Sequence, residues 1–200
     1  MVILSIAGIM ILAVITLMTI MPEKASAHCD TMDGPAVQDG RIALETENIN
    51  YAYKWIFEDF EGELKEIFDL SLKVRKLGED AREAADRWFL ENLVRIHRAG
   101  EGASYDGLKP SGTALDPKVT AADESIALGN MSPIKGLVTM EEYHLLEEKF
   151  NRAIALKDYD INDVNAARAY VEAYVTFFKM AEGEEHEHHP AHGHEHHHGH

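Results

Sequence analysis

The amino-acid sequence predicts an all-α protein: an antiparallel four-helix bundle with extra short helices, an N-terminal signal helix and a disordered His-rich C-terminal tail. Three observations carry this expectation. Apolar residues recur three and four positions apart over long stretches, the spacing that gathers them on one helical face. Pro35, Gly78, Gly100, Pro117 and Gly129 punctuate those stretches at their ends. No alternating β-branched run with a hairpin dipeptide appears.

Residues 2–21 are almost wholly apolar, and Pro22-Glu23-Lys24 leads into Ala25-Ser26-Ala27, a small-x-small site of the kind signal peptidase cuts after. Residues 1–27 are therefore expected to be a signal peptide. Left uncut, about 20 apolar residues would serve as a membrane anchor. Residues 28–34, HCDTMDG, lack periodicity and end in turn chemistry at Asp33-Gly34-Pro35. The helical domain then spans 35–182.

Its first helix covers 35–46, with Val37, Ile42 and Leu44 as contacts. The longest periodic stretch has Ile49, Tyr53, Ile56, Phe60, Leu64, Ile67, Ser71 and Val74 on one face, widened by Trp55, Phe57, Phe68 and Leu70. It predicts one long helix stopped by Gly78. The next helix, 79–99, places Ala81, Ala85, Trp88, Phe89, Leu93 and Ile96 on its core face, and the short turn makes the two an antiparallel hairpin. Residues 100–115 hold four glycines, one proline and no periodicity. A loop of that length in a compact domain is usually functional or disordered. Asp116-Pro117 opens a short helix to Leu128, and Ser132-Pro133 a further helical stretch that breaks at Gly136. Thr139 with Glu142 reads as a capping box for a helix carrying Tyr143, Leu146, Phe150, Ala153 and Ile154. The last helix, 164–181, carries Ala167, Tyr170, Val171, Tyr174, Phe177 and Phe178. Residues 183–200, GEEHEHHPAHGHEHHHGH, offer no apolar side chain larger than alanine and are expected to stay disordered.

The formal net charge of −16 argues against a nucleic-acid partner, which requires a basic face. A single cysteine excludes an intramolecular disulfide and an all-Cys zinc site. No nucleophile elbow, phosphate-binding loop, dinucleotide fingerprint or H-E-x-x-H occurs, which argues against the common hydrolase, NTP and dehydrogenase chemistries.

Chemistry concentrates where the signal ends. A cut after Ala27 leaves a free amine and an imidazole on His28, followed by the amide and thiolate of Cys29. Nitrogen and sulfur in a square plane suit Ni(II) and Cu(II), and the Asp33 carboxylate is available to join them. Arg95, His97 and Arg98 crowd the end of a predicted helix, just before Glu101. The plain reading is cations at the negative end of a helix dipole. The functional reading is that the N-terminal segment folds back on this corner and gains His97 or Glu101 as a ligand. An amine, its own imidazole and a second His form a copper histidine brace. Arg95, Arg98 and Lys109 would then attract an anionic substrate. In the tail, His186, His188, His189, His192, His194, His196, His197, His198 and His200 form a second metal-binding tract for Ni, Cu or Zn. Glu141 and His144 have the E-x-x-H spacing of di-iron carboxylate bundles. Without a second such motif they read as solvent-facing charge.

The segment His28-Cys29-Asp30-Thr31-Met32-Asp33-Gly34-Pro35-Ala36 resembles the metal hook of nickel superoxide dismutases, H-C-x-x-P-C-G-x-Y. His28, Cys29 and Gly34 match, while Met32, Asp33 and Ala36 replace the hook's Pro, second Cys and Tyr. The resemblance implies a cleaved leader, nickel held by His28 and Cys29, and superoxide as substrate, with Asp33 in place of the second thiolate as a harder ligand. The whole chain is also similar to an uncharacterised family of secreted bacterial proteins that begin HCDTMDGP and carry RIHRAGEGA-x-Y-x-GLKP, here residues 28–35 and 95–110.

The sequence therefore predicts an exported metalloprotein with a redox-active Cu or Ni ion at His28-Cys29, on the superoxide dismutase pattern. The alternative is a non-enzymatic metal buffer or delivery protein that uses its tail. The expected location is periplasmic, extracellular or anchored on the outer face of the cytoplasmic membrane, with membrane contact only through an uncut leader. The expected partner is a metal ion, joined by superoxide on the enzymatic reading, and a homo-oligomer stays open.

Overall fold

The computed structural model describes residues 28–183; the expected leader, 1–27, and the tail histidines lie outside the described residues. The protein is all-α. In chain order the helices are α1 (Pro35–Thr46), α2 (Asn50–Tyr53), α3 (Glu61–Val74), α4 (Glu79–Gly100), α5 (Pro117–Leu128), α6 (Met140–Leu156) and α7 (Val164–Glu182). The chain divides between Thr113 and Ala114 into two compact units. Among the described residues no helix is long and apolar enough to cross a membrane.

In the first unit α4 is the spine, and α1 and α3 pack against it. The apolar stripe of α4 buries Phe89, Leu90, Leu93 and Ile96 against Val37 and Leu44 of α1 and Leu64 and Phe68 of α3. The Phe68 and Phe89 rings meet at 5.3 Å. Trp88 was expected in this core but is 41% exposed. It sits about 100° around the helix from Phe89, beyond the stripe its neighbours cover. Ile42 and Leu70 fall outside their stripes in the same way.

The single long helix predicted from residue 49 is broken. α2 ends at Tyr53, the chain extends at Phe57 (ψ 154°), and a 3-10 turn, Glu58–Phe60, leads into α3. Two buried demands explain the break. Lys54 Nζ lies 2.9 Å from Asp39 of α1, and Trp55 Nε1 donates to the same carboxylate at 2.8 Å. The Trp55 carbonyl accepts from His97 of α4 at 2.7 Å. In a continuous helix that carbonyl would be taken by the backbone N–H four residues on. Phe57, just past the break, is 60% exposed.

In the second unit α6 and α7 form a hairpin and α5 packs on α7. Val119, Ile126, Leu146, Phe150, Val171, Phe177 and Phe178 are buried there. Residues 131–138, expected to be partly helical, form consecutive turns. Ser132 N–H is taken by the Asn130 side chain and Leu137 N–H by the Ile134 carbonyl, so no i→i+4 ladder starts.

The capping box is present: Thr139 Oγ1 accepts from Glu142 N at 3.2 Å, and Glu142 Oε2 accepts from Thr139 N at 2.6 Å. The Thr139 backbone N–H first, and then the Thr139 hydroxyl, hold the Glu142 carboxyl below its usual range. Thr139→Ala is expected to cost about 1 kcal/mol in urea unfolding. A depressed carboxyl stabilises above its unfolded pKa, and that contribution is lost as pH falls through the folded value. Thr139→Ala keeps the backbone N–H that bonds this carboxylate, so the gap that should narrow in acid is the one between wild type and Glu142→Gln.

Candidate metal centre

Residues 28–34 are wound into a tight turn. Gly34 N donates to the Thr31 carbonyl at 2.9 Å, and Thr31 Oγ1 to the His28 carbonyl at 3.4 Å. Only glycine fits at 34: a Cβ there would lie 2.4 Å from the His28 carbonyl oxygen and 3.1 Å from those of Cys29 and Thr31. The turn leaves His28 4% exposed and Cys29 2%, with Asp30 and Thr31 also buried.

The long loop after α4 returns to this turn. Lys109 N donates to the Asp30 carbonyl at 2.7 Å, and Met32 N to the Lys109 carbonyl at 3.0 Å, forming an isolated parallel bridge between Thr31 and Lys109. Asp33 accepts from Ser111 Oγ at 2.8 Å and from Gly112 N at 2.7 Å. Gly112 has φ +74°, the left-handed turn that brings its N–H to Asp33. The two sequence stretches 28–35 and 95–110 thus meet in space.

The end of α4 supplies the charge. Arg98 is 2% exposed. Its Nε lies 3.3 Å from Asp30 Oδ1 and its Nη1 donates to Glu101 Oε2 at 2.9 Å. His97 Nδ1 faces the Trp55 carbonyl, which can only accept, so Nδ1 carries the proton. His97 Nε2 lies 3.7 Å from Glu101 Oε2. Burial pushes the Asp30 carboxyl up, opposed by the positive charge of Arg98 and Lys109 and by His97. Burial also lifts the Tyr105 phenol to about 12, helped by Glu91 and Asp30.

The fold therefore brings the His28–Asp30 segment to the His97–Glu101 corner, with Asp30 and Arg98 as the join. The other expected residues are placed differently. Asp33 is exposed, and its bonds to Gly112 and then Ser111 hold its carboxyl below the usual range. Both its oxygens serve the loop. Arg98, expected to help attract an anionic substrate, is internal and paired. Arg95 bridges to Glu63 and to Asn92, and Lys109 is half-buried. Glu141 and His144 are exposed, with His144 Nδ1 3.9 Å from Glu147.

Among the described residues no group of three or more His, Cys, Asp or Glu side chains is arranged to hold a metal ion. The chelate expected at His28 differs in kind. It takes two donors from the backbone, the new amine and the Cys29 amide, and two from side chains. Asp30, Asp39, Trp55 and Ser111 had no signal in the sequence as parts of this site, because each acts through a partner far along the chain.

No curated protein and no solved structure matches the chain. A protein-family comparison matches residues 33–180, a span that takes in the α4 corner and its loop and begins five residues after His28. By that match the chain belongs to the family of unknown function DUF6448.

Proposed function

We propose that the protein binds a transition metal, copper or nickel, at a processed chain end made by His28 and Cys29. The observation that supports this is the burial of both residues beside the Arg98 corner. The segment 28–31 is short and mostly polar, and yet it is packed and hydrogen-bonded over its length. The imidazole, the thiolate and two backbone nitrogens make a donor set suited to Cu(II) or Ni(II). Burial shields the thiol from oxidation in the oxidising compartment that the leader implies. His97 is oriented by a backbone carbonyl, as metal-site histidines are oriented by their outer partners. A bound ion would supply redox chemistry; the residues themselves supply the donors and exclude water.

Non-enzymatic holding or delivery of the ion is the form of this reading we favour, because Arg98, one of the residues expected to attract an anion, is buried and held in ion pairs with Asp30 and Glu101. Superoxide dismutation is the second form, supported by the hook pattern at His28, Cys29 and Gly34.

The test uses exported protein lacking residues 184–200, so that tail histidines do not contribute. Cys29→Ser should weaken Cu(II) or Ni(II) binding by at least about 100-fold, more than typical losses on changing outer-shell partners. Unchanged binding in that variant would remove the proposal. A superoxide-consumption assay of the loaded protein separates the two forms.

A further inference from the structure

We propose that residues 101–113 are a strap across the His28–Cys29 end, latched by Asp33, and that the latch sets how often that end opens to solvent. The purpose of the strap rests on the metal reading above; its mechanics do not.

The strap has no regular structure after its first turn, and Gly102, Ser104, Asp106, Pro110, Ser111 and Gly112 are exposed. Of its side chains, Leu108 is the buried apolar one. A segment with so few buried apolar contacts belongs to the least stable part of a fold and opens before the core does. Three attachments tie it to the wound segment. Two are the backbone bonds of Lys109, to the Asp30 carbonyl and from Met32 N–H. The third is the Asp33 carboxylate, which takes Ser111 and Gly112 together.

The third attachment makes a latch for two reasons. A charged acceptor with two donors is a stronger tie than a neutral bond. It is also exposed, at the far end of the strap from α4, so it can be broken without disturbing the Phe89 and Leu93 core. Once it breaks, the Lys109 bonds are the strap's remaining hold on residues 30–32, which the Asp30–Arg98 pair still ties to α4. Their loss would uncover Cys29. On the metal reading, this opening is the step that lets an ion in or out. Asp33 then stands at the position of the hook's second thiolate but regulates exchange rather than binding the ion.

The test is thiol labelling of Cys29 by an aromatic disulfide reagent, on the full chain stripped of metal with a chelator. Asp33→Ala should label about tenfold faster than wild type, the effect of losing a charge-assisted tie on a local opening. Ser111→Ala, which keeps the Gly112 bond, should fall between them and serves if Asp33→Ala does not fold. Leu44→Ala is the reference for global unfolding. The latch predicts that Asp33→Ala labels fast while its unfolding midpoint stays close to wild type. Labelling at the wild-type rate, or labelling that tracks the midpoint across all variants including Leu44→Ala, would overturn it. Because no metal is present, failure here leaves the metal proposal standing. Conversely, a latch that passes in a protein with no metal affinity sinks only the proposed function.

Discussion

Arg98→Ala will destabilise the first unit by about 3–5 kcal/mol, the usual cost of removing one partner from a buried ionic group. Arg98 holds Asp30 and Glu101 together, and all three are largely shielded from water. Without the guanidinium, two carboxylates are left facing each other in a poorly solvated corner. Urea unfolding followed by near-UV dichroism measures the loss. Arg98→Lys should recover only part of it, because an ammonium cannot reach both carboxylates as the planar fork does. A double variant with Asp30→Asn should be less destabilised than the sum of its parts, since the two residues share one interaction. A loss below about 1 kcal/mol in Arg98→Ala would mean that the corner is solvated and ordinary.

Asp39→Ala is expected to cost about 3 kcal/mol or more by the same reasoning. The carboxylate serves both the Lys54 ammonium and the Trp55 indole N–H, and both residues are buried. Its removal also loosens the non-helical segment whose carbonyl orients His97. Asp39→Asn keeps an acceptor for the indole and loses only the charge, so it should fall between wild type and Asp39→Ala in the same unfolding experiment.

Much of the fold was legible because helices announce themselves locally. Pro35, Pro117 and the Thr139–Glu142 box mark starts, Gly78 and Gly129 mark stops, and the observed helices begin or end beside them. The periodicity around residues 49–74 misled because spacing reports only which residues want to be buried. Trp55 satisfies it equally well in an unwound segment, and the force that unwinds the chain there comes from Asp39 and His97. The two halves of the candidate site stood out as unusual strings, HCDTMDG and RIHRAGEG, but not their docking. Asp30 to Arg98 and Asp33 to Ser111 are long-range pairs of common residue types. Nothing in either string alone singles out Arg98 as internal. The burial of Arg98 follows from the return of the 28–34 turn over the end of α4, which is a tertiary event.

Native mass spectrometry of the exported protein with residues 184–200 removed tests the central claim most directly. The account predicts a chain whose first residue is His28 and which carries one copper or nickel ion, lost on substitution of Cys29. A chain that still begins at Met1, or one that begins at His28 and takes up no ion when either metal is supplied, would contradict it.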